Sequence, residues 1–275
     1  SPEPFHSQEK GLAAAAKKSG RIAAEGAVCA IVEDGVGAIV EVNCETDFAA
    51  QSDKFTGFVK DVADAVVKSA PADLDALLAA SYPNSDKTVG EMIPEKVLVI
   101  GENLKVRRFA RYCTGVTVPY IHMAGRIGVL VNMEVEGIEA SAVTELGKDL
   151  CMQVAAMNPS FCDKADVDQA TLDKEKEIQL ALMDNDPKMA SKPLQVKEKI
   201  VLGKMSKYYE ENCLMQMEFV KEKGVSVEQH VAAVAKELGG KIAVKSFVRF
   251  ERGEGIEKKQ EDFAAEVAAQ MNMGK

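Results

Sequence analysis

Thr46, Asp47 and Phe48 set a hydroxyl, a carboxylate and a large aromatic ring side by side, where an alternating strand pattern gives way to a helical one. At the tip of an element an acid and a ring project together as a contact group. The same three residues also suit an ordinary helix start, in which Thr46 or Asp47 accepts backbone N–H bonds and Phe48 covers the core. Both readings stand on composition alone. A second candidate is Arg126-Ile127-Gly128, where the glycine permits close approach of another backbone or marks a strand bulge.

Covalent chemistry has little to work with. His6, His122 and His230 are far apart and lack metal-ligand spacing. There is no nucleophile elbow, zinc-protease motif or dinucleotide-binding fingerprint. The stretch from Gly11 to Ser19 approaches a phosphate-binding loop, but Ala16 stands where the second glycine must bend the backbone, and no strand precedes it. The many helix-face carboxylates read as solvated. The expectation is a protein without catalytic residues, metal ligands or cofactor, and not an enzyme.

The elements that must position these residues follow from periodicity. Residues 8–25 read as a helix ending at Gly20. Residues 26–44 read as a hairpin turning at Glu33-Asp34-Gly35. Phe55, Phe58, Val59, Val62 and Val66 then follow helical spacing, and that helix stops near Pro71. Residues 73–100 give two shorter helical pieces broken around Pro83 and Pro94, and Leu104–Tyr112 is a strand.

The second half repeats this plan. Gly101–Tyr112 matches Gly239–Phe250 at a spacing of 138, and the helix starts Thr88-Val89 and Ser226-Val227 keep that spacing. Val36–Val40 resembles Ile127–Val131 at a spacing of 91. Two copies of one small unit are implied, the second carrying extra residues over about 165–213. In that insertion Val201, Met205 and Tyr208 share a helix face, Ile178 and Leu182 are placed to meet them, and Pro187 and Pro193 bracket a turn. The predicted fold is α+β: two pseudo-repeated subdomains of small antiparallel sheets with helices, an inserted helical hairpin or coiled-coil arm, and a C-terminal helix. The boundaries are 1–25 for a linker helix, 26–113 for the first core subdomain, and 114–164 with 214–252 for the second. The arm takes 165–213 and the C-terminal module 253–275, where Ile256, Phe263, Val267 and Met271 share a face.

The chain has 275 residues, 47% of them hydrophobic and 28% charged, which excludes whole-chain disorder. A net charge of −9 disfavours binding to a nucleic-acid backbone. No apolar run reaches the roughly 18 residues of a membrane span. Six scattered cysteines without a C-x-x-C pair suit reduced thiols in a cytoplasmic protein.

Several ordered motifs together resemble the translation elongation factor Ts family: Lys17 to Gly26, Glu41 to Phe48, Gly101 to Leu104, His122 to Val129 and Phe250 to Lys258. The resemblance runs from about residue 9 to the end. It implies a guanine-nucleotide exchange factor that binds elongation factor Tu, displaces Mg²⁺ and GDP, and stabilises the nucleotide-free state. The chain opens at what would be the last few residues of the family's N-terminal helical module. Ala49 stands where the family usually has Val, Met123-Ala124 where glycines are common, and Gln153 where some members carry a partner-touching His. By residue, the resemblance implies that Thr46, Asp47 and Phe48 dislodge the metal. It implies that Arg126, Ile127, Gly128, Val220 and Lys221 form a second interface. It implies that Phe263 and Val267 on the C-terminal helix pack on the partner. It implies contact with elongation factor Tu in GDP-bound and nucleotide-free states, none with nucleic acid or membrane, and compatibility with a homodimer or a 2:2 complex.

Overall fold

A computed structural model of the chain describes residues 4–257 and 263–273. The first helix, α1 (Pro4–Lys18), begins before the span expected and is released at Ser19 and Gly20. Strands β1 (Glu25–Glu33) and β2 (Val36–Cys44) form the expected hairpin. Its two-residue turn holds Asp34 and Gly35 at φ of 49° and 77°, a pair of positive angles whose twist matches that of the strands.

Past the hairpin, α2 (Asp47–Ala50) is a single turn, and Ser52 caps a new helix, α3 (Asp53–Ser69), by accepting from Phe55 N. The predicted stripe Phe55, Phe58, Val59, Val62 and Val66 is buried against the hairpin. Each such side chain contributes about 1.5–3 kcal/mol of burial. Ala70, at φ 47°, ends the helix before Pro71. Next come α4 (Leu74–Ala79), α5 (Val89–Ile100) and β3 (Lys105–Tyr112), which pairs antiparallel with β2. Pro94 lies inside α5 and does not break it. The ring forfeits one hydrogen bond in the second turn, and packing of α1 along α5 holds the helix in shape: a Cβ on Gly11 would lie 3.1 Å from Pro94 O.

The second half contains β4 (Val116–His122), β5 (Ile127–Glu136) and α6 (Thr144–Met157). The insertion forms α7 (Gln169–Asp184) and α8 (Leu194–Asn212), and α9 (Val227–Leu238) and β6 (Lys241–Glu251) follow. The last described element is α10 (Phe263–Met273). The sheets run β1-β2-β3 and β4-β5-β6, all antiparallel. The mixed α+β class is therefore observed.

The repeat extends to fine detail. Helices α5 and α9 have equal length, and each starts in a reciprocal capping box, Thr88 with Glu91 and Ser226 with Gln229. Each ends on a left-handed glycine, Gly101 or Gly239. The pairing of β2 with β3 skips Arg107 beside Glu41, and that of β5 with β6 skips Lys245 beside Asn132. These two bulges occupy equivalent positions of the two copies.

The sheets pack face to face through Val28, Ala30, Ile39 and Leu130. Gly37 and Gly128, again equivalent, make that approach possible. A Cβ on Gly128 would lie 2.4 Å from Val28 Cγ1, and one on Gly37 would lie 2.6 Å from Thr117 Cγ2. Both obstructing groups are β-branched and stiff. Gly37→Ala and Gly128→Ala are each expected to cost about 1–3 kcal/mol through overpacking. Urea unfolding measures this, and an unchanged midpoint in either variant refutes it.

In the arm, Met183, Val201 and Met205 are buried between α7 and α8, with Leu172, Leu180 and Tyr208 packed around them. Ile178 and Leu182 do not face α8: they are exposed on the opposite side of α7. That helix carries two apolar stripes, and α8 takes the one running through Leu172, Leu180 and Met183. At the tip, Lys197 Nζ donates to Asp184 Oδ1 at 2.7 Å and to Ala190 O at 3.0 Å, tying the turn to both helices. At the base, Leu214 N donates to Phe161 O and Phe161 N to Asn212 O, so the two ends of the insertion are stitched together. Among the described residues no helix is long and apolar enough to cross a membrane.

Candidate functional site

The corner between β2 and α2 is built by hydrogen bonds that cross the fold. Thr46 caps α2, its Oγ1 accepting from Ala49 N at 3.1 Å. The Glu102 carboxylate, from the loop that follows α5, accepts three bonds from the same corner: Glu45 N at 2.9 Å, Thr46 N at 2.9 Å and Thr46 Oγ1 at 2.6 Å. Asn103 N in turn donates to Glu45 Oε2 at 2.9 Å, and Asn103 Nδ2 to Arg21 O at 2.8 Å. Beneath, the Cys44 thiol donates to Thr46 O at 3.3 Å, and burial pushes that thiol up to about 12, which makes it a structural group.

Of the two readings of Thr46, Asp47 and Phe48, the capping role falls to Thr46. Phe48 does not cover the core: it is 88% exposed, and no other Phe or Tyr of described burial is exposed. Asp47 is exposed beside it in the first turn of α2. An acid and a ring therefore stand in solvent on a corner whose backbone is hydrogen-bonded on several sides.

The second set of candidates divides. Arg126 is exposed, whereas Ile127 is 7% exposed and Gly128 is buried. The close approach that Gly128 permits is to Val28 of the same chain, and β5 has no bulge there. Above Arg126 the turn Met123–Gly125 holds Met123 and Ala124 at φ of 49° and 53°, a costly backbone for non-glycine residues. Met123 and Ile121 are exposed there, and His122 is half-buried, paired through Nδ1 with the Tyr120 hydroxyl at 2.9 Å.

Val220 and Lys221 lie on the turn before α9. Val220 is exposed, and Lys221 Nζ donates to Asp149 Oδ1 at 2.6 Å. Gln153, fully buried on α6, fixes this turn: its Oε1 accepts from Val220 N and its Nε2 donates to Glu218 O. Phe219 anchors it by stacking on His230 with ring centres 4.2 Å apart. On α10, Val267 and Met271 are exposed, while the side chain of Phe263 lies outside the described residues.

Two contributors escape a reading by motif alone. Glu102 sits in the Gly101–Leu104 motif, but only the fold brings it to Thr46. Glu41, fully buried, accepts from Arg107 Nη1, Arg108 Nε, Asn43 Nδ2 and, at 2.7 Å, Gly253 N. Among the described residues no three His, Cys, Asp or Glu side chains cluster as metal ligands would. A cleft of about 650 Å³ between residues 19–23, 103–107 and 256–257 has the cations Arg21, Lys105 and Arg107 in its lining.

The site is thus an acid and a ring held in solvent on a braced corner of a duplicated α+β core. Residues 45–254 match the family model described as Elongation factor TS. Elongation factor Ts of Clostridium kluyveri is 48% identical over 269 residues, covering 96% of this chain and 86% of that protein. The Clostridium perfringens protein of that name is 47% identical over 265 residues (95% and 86% covered), and the Clostridium botulinum one 44% over 273 (98% and 87%). The chain belongs to the elongation factor Ts family and is a factor of translation elongation.

Proposed function

We propose that the chain is the guanine-nucleotide exchange factor of a cytoplasmic elongation factor Tu, and that it performs no covalent step of its own. In a GTPase, Mg²⁺ and backbone amides hold the nucleotide phosphates. An exchange factor binds the empty GTPase more tightly than the loaded one, and by linkage GDP loses as much affinity as the factor gains. Lowering GDP affinity by about 10⁴ takes about 5.5 kcal/mol of such preference. One desolvated aromatic anchor with a few charge-assisted contacts is of that scale.

The observation that carries this reading is Phe48, a ring kept out of its own core on a braced corner. Phe48 enters a pocket beside the partner's Mg²⁺ and switch region, Asp47 displaces groups that hold the metal, and Thr46 fixes the corner. Arg126 supplies a second contact, with Ile127 and Gly128 shaping the strand beneath it. Val220 and Lys221 reach a more distant domain, and the helix bearing Phe263 and Val267 packs on the G domain. Complexes with GDP-bound and nucleotide-free elongation factor Tu follow, in 1:1 or 2:2 form.

Mixing tests the reading. Substoichiometric factor should discharge labelled GDP from a molar excess of elongation factor Tu in many cycles. Release that stops at one equivalent would describe a holding protein instead.

A further inference from the structure

We infer that Glu102 is a positioning residue for nucleotide exchange: its carboxylate holds the Thr46–Phe48 corner in the geometry that makes Phe48 effective. The inference rests on the reading of Phe48 as the exchange wedge and adds a residue to it.

A wedge works only if it does not yield when pushed. Phe48 sits on a one-turn helix, and four residues cannot hold themselves in place. Its own packing contributes little, since the ring is in solvent. The stiffness must come from whatever grips the backbone just before it, and Glu102 accepts from two successive backbone N–H groups there and from the Thr46 hydroxyl. An ionised carboxylate makes stronger bonds to such donors than a neutral acceptor does. The Thr46 hydroxyl is used twice, donating to Glu102 Oε2 while accepting from Ala49 N, so the clamp reaches through Thr46 into α2.

Glu102 is itself supported. It follows the left-handed Gly101 that ends α5, and Gly101 O accepts from Lys18 Nζ at 2.8 Å. Asn103 returns a backbone bond to Glu45 and holds Arg21 O with its side chain. The corner is thereby tied to α5 and to the segment after α1, through groups 56 to 83 residues away in sequence. The equivalent loop of the second copy has Gly240 where the first has Glu102, and the corner it packs against, at Glu136 and Ile138, carries no acid–ring pair. The carboxylate goes with the contact group and not with the shared fold.

The test is a double-mutant cycle on stimulated release of fluorescent GDP from the cognate elongation factor Tu, using the full chain. Glu102→Gln retains size but loses acceptor capacity. It should lower the maximal rate at saturating factor about 10-fold, while far-UV circular dichroism stays native. Glu102→Asp should restore at least part of that loss. Combining Glu102→Gln with Phe48→Ala should leave release within about twofold of Phe48→Ala alone, because the clamp acts through the ring. Multiplicative losses in the double variant, or full activity of Glu102→Gln beside an impaired Phe48→Ala, overturn the role of Glu102 and leave the wedge standing. Full activity of Phe48→Ala overturns the wedge and, with it, this inference.

Discussion

Replacing Phe48 by alanine is expected to slow factor-stimulated GDP release by roughly 30–100-fold, because a central aromatic anchor contributes about 2–3 kcal/mol and each 1.4 kcal/mol is a factor of ten. The same change should leave the thermal midpoint of the isolated factor unaltered. The ring is 88% exposed, and α2 is capped by Thr46 and not by the ring. Release kinetics and melting therefore move independently, a combination that a core aromatic never shows, since truncating one costs about 3–5 kcal/mol of stability. An unaltered stimulated rate would remove the ring from the mechanism.

Glu41→Gln is expected to act in the opposite sense, destabilising the fold by about 3–5 kcal/mol, the usual consequence of breaking a buried ion pair by removing one partner. That corresponds to a fall in melting temperature on the order of 10 °C for a chain of this size. Glu41 has no exposed surface and is met by two guanidinium groups, so a neutral amide leaves Arg107 and Arg108 without their counter-charge. The loss extends to the end of β6 and the turn after it. Glu41 accepts from Gly253 N, Arg107 donates to Glu254 O, and Arg108 donates to Glu251 O at 3.0 Å while lying 4.3 Å from the Phe250 ring centre. Gly253, at φ 75°, is pressed so close to Ala24 O that a Cβ would lie 2.4 Å from it. Limited trypsin digestion should consequently cut after Arg252 faster in Glu41→Gln than in the parent. Unchanged melting and cleavage would refute the latch.

Much of the architecture is legible from local chemistry. The hairpin follows from alternation around Asp34-Gly35, α3 from the spacing of Phe55 to Val66, and the duplication from matched caps at Thr88 and Ser226. What is not legible depends on neighbours far along the chain. Pro94 reads as a breaker until α1 is seen packed along α5. Ile178 and Leu182 read as the arm's inner face until α8 selects the other stripe. Gly128 signals that something comes close without revealing that it is Val28 of the facing sheet.

The contact corner shows the same limit. Residue types at 46–48 allow either a buried or a projecting ring, and only the fold shows the ring in solvent. Glu102 and Glu41 are ordinary charged residues in sequence. Their importance comes from donors up to 212 residues away.

The matched bulges carry a consequence for how the two halves diverged. An extra residue stands at the same rung of both sheets and is put to different use in each. In the first half the surplus residue, Arg107, turns inward and fastens the segment after β6 to the strand that leads to Phe48. In the second, Lys245 meets Glu134 at the surface, where their 3.1 Å pairing holds nothing else down. One bulge is a clasp and the other a surface pair, and the half without the clasp is the one that carries the arm.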